Sequence, residues 1–260
     1  MNKFSNTAVC FVADFKYLYK NFSRIYNQLR TNGNYQDEIV IITNFFSPTF
    51  LIKDIRKKNG VVVLRFKKIK YDKKTEKSLK NLSVNQNRHI NKNFQWNKLH
   101  IFTKKIKKWK YVLYLDINLS IHHDINPILN IRPINKIFAR ADGFPEYKWK
   151  LSSQFDQSKK DYKKLSENFD LDRTDYFQTG LMYFDTAIVT SSTFKEIISL
   201  VKKYPISTTN EQGILNLYFL FIYKKYKELD SYIEGKLSYF YWKTVDSEVI
   251  ITKSLKQQYK

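Results

Sequence analysis

Asp116 and Asn118 stand two residues apart, directly after the apolar run Tyr111-Val112-Leu113-Tyr114-Leu115. On an extended chain a carboxylate and an amide at i and i+2 project to one face, and at a strand end they can converge on a cation. Hard oxygen ligands of this kind suit Mg²⁺ or Mn²⁺, ions that take phosphate oxygens as further ligands. Asp and Asn also cap turns, so a plain turn is the competing reading of the pair alone. Asp14 and Asp142 each follow another apolar run, at residues 7–13 and 136–141. Three acids past three strand ends point to one edge of a sheet, although Asp14 also stands where a helix N-cap would.

The elements that must position these groups follow from hydrophobic spacing. Residues 7–13, 38–43, 60–66, 111–115, 136–141, 181–184 and 249–252 read as strands. Phe15, Leu18, Phe22, Ile25, Tyr26 and Leu29 recur at helical spacing, and Trp96, Leu99, Phe102, Ile106 and Trp109 predict one face of a second helix. Further helices are expected over 194–204 and 211–229. Strands alternating with helices imply an α/β fold, a mostly parallel twisted sheet with helices on both faces, and ligands at the carboxyl ends of its strands. The whole chain, 1–260, reads as a single domain. The polar stretch 147–176 is expected to form a lid or helical excursion over the sheet edge.

The chain has 260 residues, 43% of them hydrophobic, and a net charge of +22. Residues 53–110 hold 20 Lys/Arg against 3 Asp/Glu, a surplus of +17 within that block. Such a block could attract nucleic acid, but 38 Lys against 8 Arg, together with abundant Asn, Ile and Tyr, is the profile of an AT-rich genome. No repeating aromatic pattern interleaves the lysines as base stacking would require. The expectation is a solvated basic face and no nucleic-acid partner. No apolar run approaches the roughly 20 residues of a transmembrane helix. The first residues lack a signal-peptide pattern, and a cytoplasmic location is expected. Cys10 stands alone, which excludes an internal disulfide. There is no Gly-x-Gly-x-x-Gly and no Gly-Lys-Ser/Thr phosphate loop. His122, His123 and Asp124 read as a turn, and His89 and His100 have no spaced partner.

Five ordered blocks resemble glycosyltransferase family 8, the family of glycogenin and bacterial lipopolysaccharide glycosyltransferases. They are Val12-Ala13-Asp14-Phe15-Lys16-Tyr17; Asn97-Lys98-Leu99 leading to Asp116-Ile117-Asn118; Ala139-Arg140-Ala141-Asp142-Gly143; Tyr176-Phe177-Gln178-Thr179-Gly180-Leu181; and Asn210-Glu211-Gln212-Gly213. The resemblance is that of a divergent member. It implies a GT-A fold and transfer of a hexose from a UDP-sugar, UDP-glucose or UDP-galactose, to a glycan or protein acceptor with retention of configuration. It also implies Mn²⁺ or Mg²⁺, held by Asp116 and Asn118 beside the nucleotide's ribose and diphosphate. Asp14 and Tyr17 would bind uridine in a wall that includes Ala13 and Ile117. Lys98 and Asp142 would contact the donor, and Gln178, Thr179 and Gly180 would line its pocket. Gln212, with Glu211, would sit beneath the anomeric carbon.

The chain departs from the family pattern where Asn118 replaces an aspartate, Glu211 an aspartate and Gln178 an asparagine. No histidine follows His123 to complete the family's metal site. These departures make weak metal binding an expectation, and a nucleotide-sugar-binding member without catalysis the alternative. A homodimer is compatible with the sequence.

Overall fold

The computed structural model describes residues 6–82, 94–142, 149–240 and 248–253; His89 and Gly143 lie outside them. β1 (Thr7–Val12), β2 (Ile39–Asn44) and β3 (Val61–Phe66) alternate with α1 (Phe15–Thr31), α2 (Thr49–Arg56) and α3 (Lys73–Lys80). After two 3-10 segments come β4 (Tyr111–Leu115), β5 (Leu119–Ile121), α4 (Asn126–Asn130), β6 (Ile137–Ala141), α5 (Lys160–Asn168) and β7 (Phe177–Asp185). The chain continues through α6 (Thr193–Lys203), α7 (Glu211–Asn216), β8 (Tyr226–Glu228), β9 (Tyr232–Ile233), β10 (Lys236–Phe240) and β11 (Val249–Lys253).

Seven strands form a sheet in the order β3-β2-β1-β4-β7-β6-β8. β1, β2, β3 and β4 run parallel, and β7 runs against both β4 and β6. The ends of β1, β4 and β6 and the start of β7 therefore share one rim. Side-chain alternation divides the core into two layers. Ala8, Cys10, Val112 and Tyr114 face a layer with α6, α7 and residues 96–109, while Val9, Phe11, Leu113 and Leu115 face α1, α2 and α4. Cys10 is fully buried at the centre of this arrangement, and burial pushes its thiol far above the ordinary range.

Three expectations are corrected. The predicted helix over 96–109 is two 3-10 segments, Gln95–Phe102 and Lys104–Lys108, parted by extended Thr103. Its five apolar residues are all buried as predicted. The spacing of Trp96, Leu99 and Phe102 is three throughout, which is the 3-10 period rather than 3.6. The predicted helix over 211–229 ends early. α7 widens into a π-helical turn, Leu217–Ile222, closed by Tyr223 N–H bonding to Tyr218 O. Lys224 at φ +50 then turns the chain into β8, which pairs with β6. Finally, β11 does not join the main sheet but a second one, ordered β5-β11-β10-β9.

Within 149–176, a 3-10 turn (Leu151–Gln154) and α5 form a helical excursion. Leu151, Phe155, Leu165 and Leu171 tie it into the core. Phe155 bridges to Ser207, and Asp156 N–H donates to Ile206 O, so the segment is pinned to the chain entering α7.

Candidate active site

At the shared rim a cleft of about 470 Å³ opens between the start of α1 and the end of β4. Ala13, Asp14, Lys16 and Tyr17 line one wall. Lys98 and Gln95 line another, and Asp116, Ile117 and Asn118 complete it. The volume lies within the usual range for small-ligand sites. Seven residues expected at the site, Ala13, Asp14, Tyr17, Lys98, Asp116, Ile117 and Asn118, thus meet around one opening. Asp14 caps α1 as well, since its Oδ1 accepts from Tyr17 N–H at 2.9 Å. The cap fixes the turn that carries Tyr17, whose side chain stays exposed.

The turn after β4 is held from two sides. Asp116 N–H donates to Gly180 O at 2.8 Å, a continuation of the antiparallel β4–β7 ladder. Arg24 of α1 donates to Leu119 O at 2.8 Å and to Ile117 O at 3.3 Å, which fixes the backbone around Asn118. Gly180 is required by close approach. A Cβ there would lie 2.6 Å from the Tyr239 hydroxyl, which β10 brings in from the second sheet.

Behind the opening lies a charged network. The Lys98 ammonium contacts Glu211 Oε1 at 2.7 Å, Asp116 Oδ1 at 3.2 Å and Thr179 O at 3.1 Å. An ammonium has three N–H donors, so these contacts consume all of them. Burial opposes the charge on Lys98, but Asp116 and Glu211 outweigh it and hold its pKa above the ordinary lysine range. Burial raises the Glu211 carboxyl, an effect Lys98 offsets only in part. Glu211 Oε2 is buried and finds no hydrogen-bond partner among the described residues. Tyr114, on the same strand face as Asp116, donates to its Oδ1 at 2.6 Å. Burial first, then the Asp116 carboxylate, raises the Tyr114 phenol.

Gln212 is oriented from both ends. Its Oε1 accepts from Thr179 N–H at 3.1 Å, and its Nε2 donates to Gln154 Oε1 at 2.9 Å. Asn210, immediately before α7, takes φ +55 and bonds to Gln95, which links this turn to the cleft wall. Gly213 packs so tightly that a Cβ would meet Ser207 Oγ at 2.7 Å.

Asp142, Gln178, Thr179, Gly180, Glu211 and Gln212, also expected at the site, do not line the cleft itself; Asp142, Gln178, Thr179 and Glu211 are buried, and Asp142 accepts from the Tyr176 hydroxyl. Tyr114, Gln95, Lys16 and Gln154 were missed by sequence reasoning. Only Tyr114 carried a signal, its position two residues before Asp116 on the same strand face. His122 bonds to Thr252 at the β5–β11 edge, and no three His, Cys, Asp or Glu side chains gather for a metal among the described residues. The side-chain oxygens that the Asp116–Asn118 turn offers at the cleft are those of the Asp116 carboxylate and the Asn118 amide. Two oxygens plus substrate phosphates fit how Mg²⁺ and Mn²⁺ are commonly held. No helix among the described residues is long and apolar enough to cross a membrane.

Galactinol synthase 2 of Solanum lycopersicum is 25% identical over 129 residues, which cover 46% of this chain and 37% of that protein. This match therefore spans little more than a third of the curated relative's length. Among solved structures, the galactosyltransferase LgtC in complex with donor and acceptor sugar analogues superposes with a TM-score of 0.58 at 13% identity, over 96% of this chain and 87% of that one. The apo glycosyltransferase GlyE of Streptococcus pneumoniae superposes at 0.59 and 15% identity, over 97% and 55%. Likenesses this distant in sequence bear on the fold, which is of the GT-A type. The profile of Glycosyl transferase family 8 matches residues 8–251, nearly the whole described chain, and the protein belongs to that family.

Proposed function

We propose that this glycosyltransferase takes a hexose from a UDP-sugar, UDP-glucose or UDP-galactose, and transfers it to a glycan or protein acceptor with retention of configuration. The observation that carries the reading is the convergence of the Asp14–Tyr17 wall and the Asp116–Asn118 turn around one opening, with Glu211 at the start of α7 joined to it from behind through Lys98.

In this reading Tyr17 stacks on uracil, and the Asp14 oxygen not spent on the helix cap accepts from the base. Asp116 and Asn118 would hold a divalent cation through oxygen, which when bound stabilises negative charge on the departing diphosphate. Lys98 does not contact the diphosphate, because its three protons are already committed. It positions Asp116 and Glu211 instead, and among the described residues Lys16 is the other cation lining the cleft. Glu211, sealed behind the cleft, acts through its contact with Lys98. The Gln212 amide, locked by Thr179 and Gln154, presents oxygen where positive charge grows at the anomeric carbon. Preorganised dipoles of this kind cost no reorganisation during reaction.

Calorimetry with UDP, with and without Mn²⁺, followed by UDP release from each UDP-sugar, tests the reading. Binding strengthened by Mn²⁺ and turnover abolished by Asp116→Ala are expected. No binding at millimolar UDP would remove the proposal. Asn118 in place of the family's aspartate favours a second reading, a member that binds the nucleotide sugar without turnover. Tight UDP-sugar binding with no UDP release would select it.

A further inference from the structure

Away from the charged network, the same rim changes character over β1, β2 and β3. Because these strands are parallel and α1 and α2 pack on one face, the three segments that leave them emerge side by side. Phe45 N–H donates to Phe66 O at 2.7 Å, and Ala13 N–H to Ile42 O at 3.0 Å, so the exits are in direct contact. Here large apolar side chains face solvent: Phe15 55% exposed, Tyr19 75%, Phe46 82% and Phe50 66%, with Phe45 against Phe46 edge-on at 5.5 Å. Each is a residue whose burial elsewhere in the chain supplies the core.

Cations surround this patch. Residues 15–20, 45–53 and 65–70 contain no Asp or Glu, and they carry Lys16, Lys20, Lys53, Lys67 and Lys68, all exposed. We propose that this rim docks on an anionic phospholipid membrane. Aromatic side chains in the β2–α2 turn and at the starts of α1 and α2, amid lysines that outnumber the flanking Asp14 and Asp54, combine insertion at the headgroup boundary with attraction to negative lipid. The charge complementarity favours lipid over a second copy of this basic chain, whose own cations would oppose the contact. Lys16 and Tyr17 belong both to this rim and to the cleft wall, so docking would set the opening beside the lipid surface.

Co-sedimentation of the full chain with vesicles, in the absence of nucleotide and sugar, tests the docking separately from the catalytic reading. Vesicles of phosphatidylcholine mixed with phosphatidylglycerol should retain the protein, and phosphatidylcholine alone should not. Phe46→Ser with Phe50→Ser should weaken retention about ten-fold. Lys20→Ser and Lys67→Ser should each weaken it about five-fold. Tyr19→Ser provides an independent aromatic variant. Wild-type protein left in the supernatant overturns the proposal, as does retention that the aromatic variants leave unchanged. Self-association of the wild type in velocity sedimentation, lost with Phe46→Ser and absent any vesicle binding, assigns the patch to a second copy instead.

Discussion

One rim of the sheet handles positive charge in two opposite ways. Past the end of β4 and beside the start of β7, Lys98 is buried, and two carboxylates and a carbonyl take up its three protons. Past β1, β2 and β3, the lysines are exposed, and the neighbouring aromatic rings are exposed with them. The first arrangement fixes geometry, because a buried charge without its partners is unstable. The second fixes little internally and leaves its field available outside. The lesson is that a count of lysines says nothing of role until each one's partners are known.

Removing the buried cation should break the comparison most severely. Lys98→Met should lower unfolding free energy in urea by about 3–5 kcal/mol, since Glu211 is left buried and uncompensated. Lys98→Met with Glu211→Leu should recover most of that loss while leaving no sugar transfer. A fall below about 1 kcal/mol in the single variant would mean that the network does not hold the turn.

His100 sharpens the contrast, because it lies two residues from Lys98, is equally buried and has no carboxylate partner. It stacks between Phe66 and Phe194, and its Nε2 donates to Lys67 O at 3.1 Å. Burial, with help from Lys105, lowers its pKa from 6.5 to about 4 despite the Lys67 carbonyl. Between those values the unfolded chain binds more protons than the folded one. His100 therefore adds stability that is present above pH 6.5 and lost as pH falls toward 4, by up to about 3 kcal/mol. Denaturation across that range should show a flatter profile for His100→Phe than for wild type. Parallel profiles would mean that the imidazole is already charged in the folded protein.

At the exposed end the effect on stability should be smallest. Phe46→Ser with Phe50→Ser should shift unfolding by no more than about 0.5 kcal/mol, because neither ring contributes to the core. A larger loss would place those rings in the structural inventory and remove the distinction drawn above.

Strand positions and the shared rim were legible because apolar runs ending in Asp14, Asp116 and Asp142 are local patterns, and parallel topology aligns their ends. Lys98 was legible as a site residue but not as an inward one. Its orientation depends on Glu211 and Thr179, more than 80 residues away in sequence, and periodicity carries no such information. The 95–109 region misled for a related reason. Almost every side chain from Trp96 to Phe102 is buried, polar ones included, so the apolar stripe did not mark a solvent boundary. Likewise β8 was hidden inside an apolar helical pattern that a single left-handed residue, Lys224, interrupts. Tyr239 near Gly180 was invisible because it depends on a second sheet formed by short, distant strands.

Cys10 offers the molecule a clock. With its sulfur sealed in the middle of β1 and its proton retained, alkylating reagents can reach it only when the sheet itself comes apart. The rate of iodoacetamide labelling would thus time whole-molecule opening without any added probe, and a nucleotide that prefers the closed chain would slow it in proportion to its occupancy.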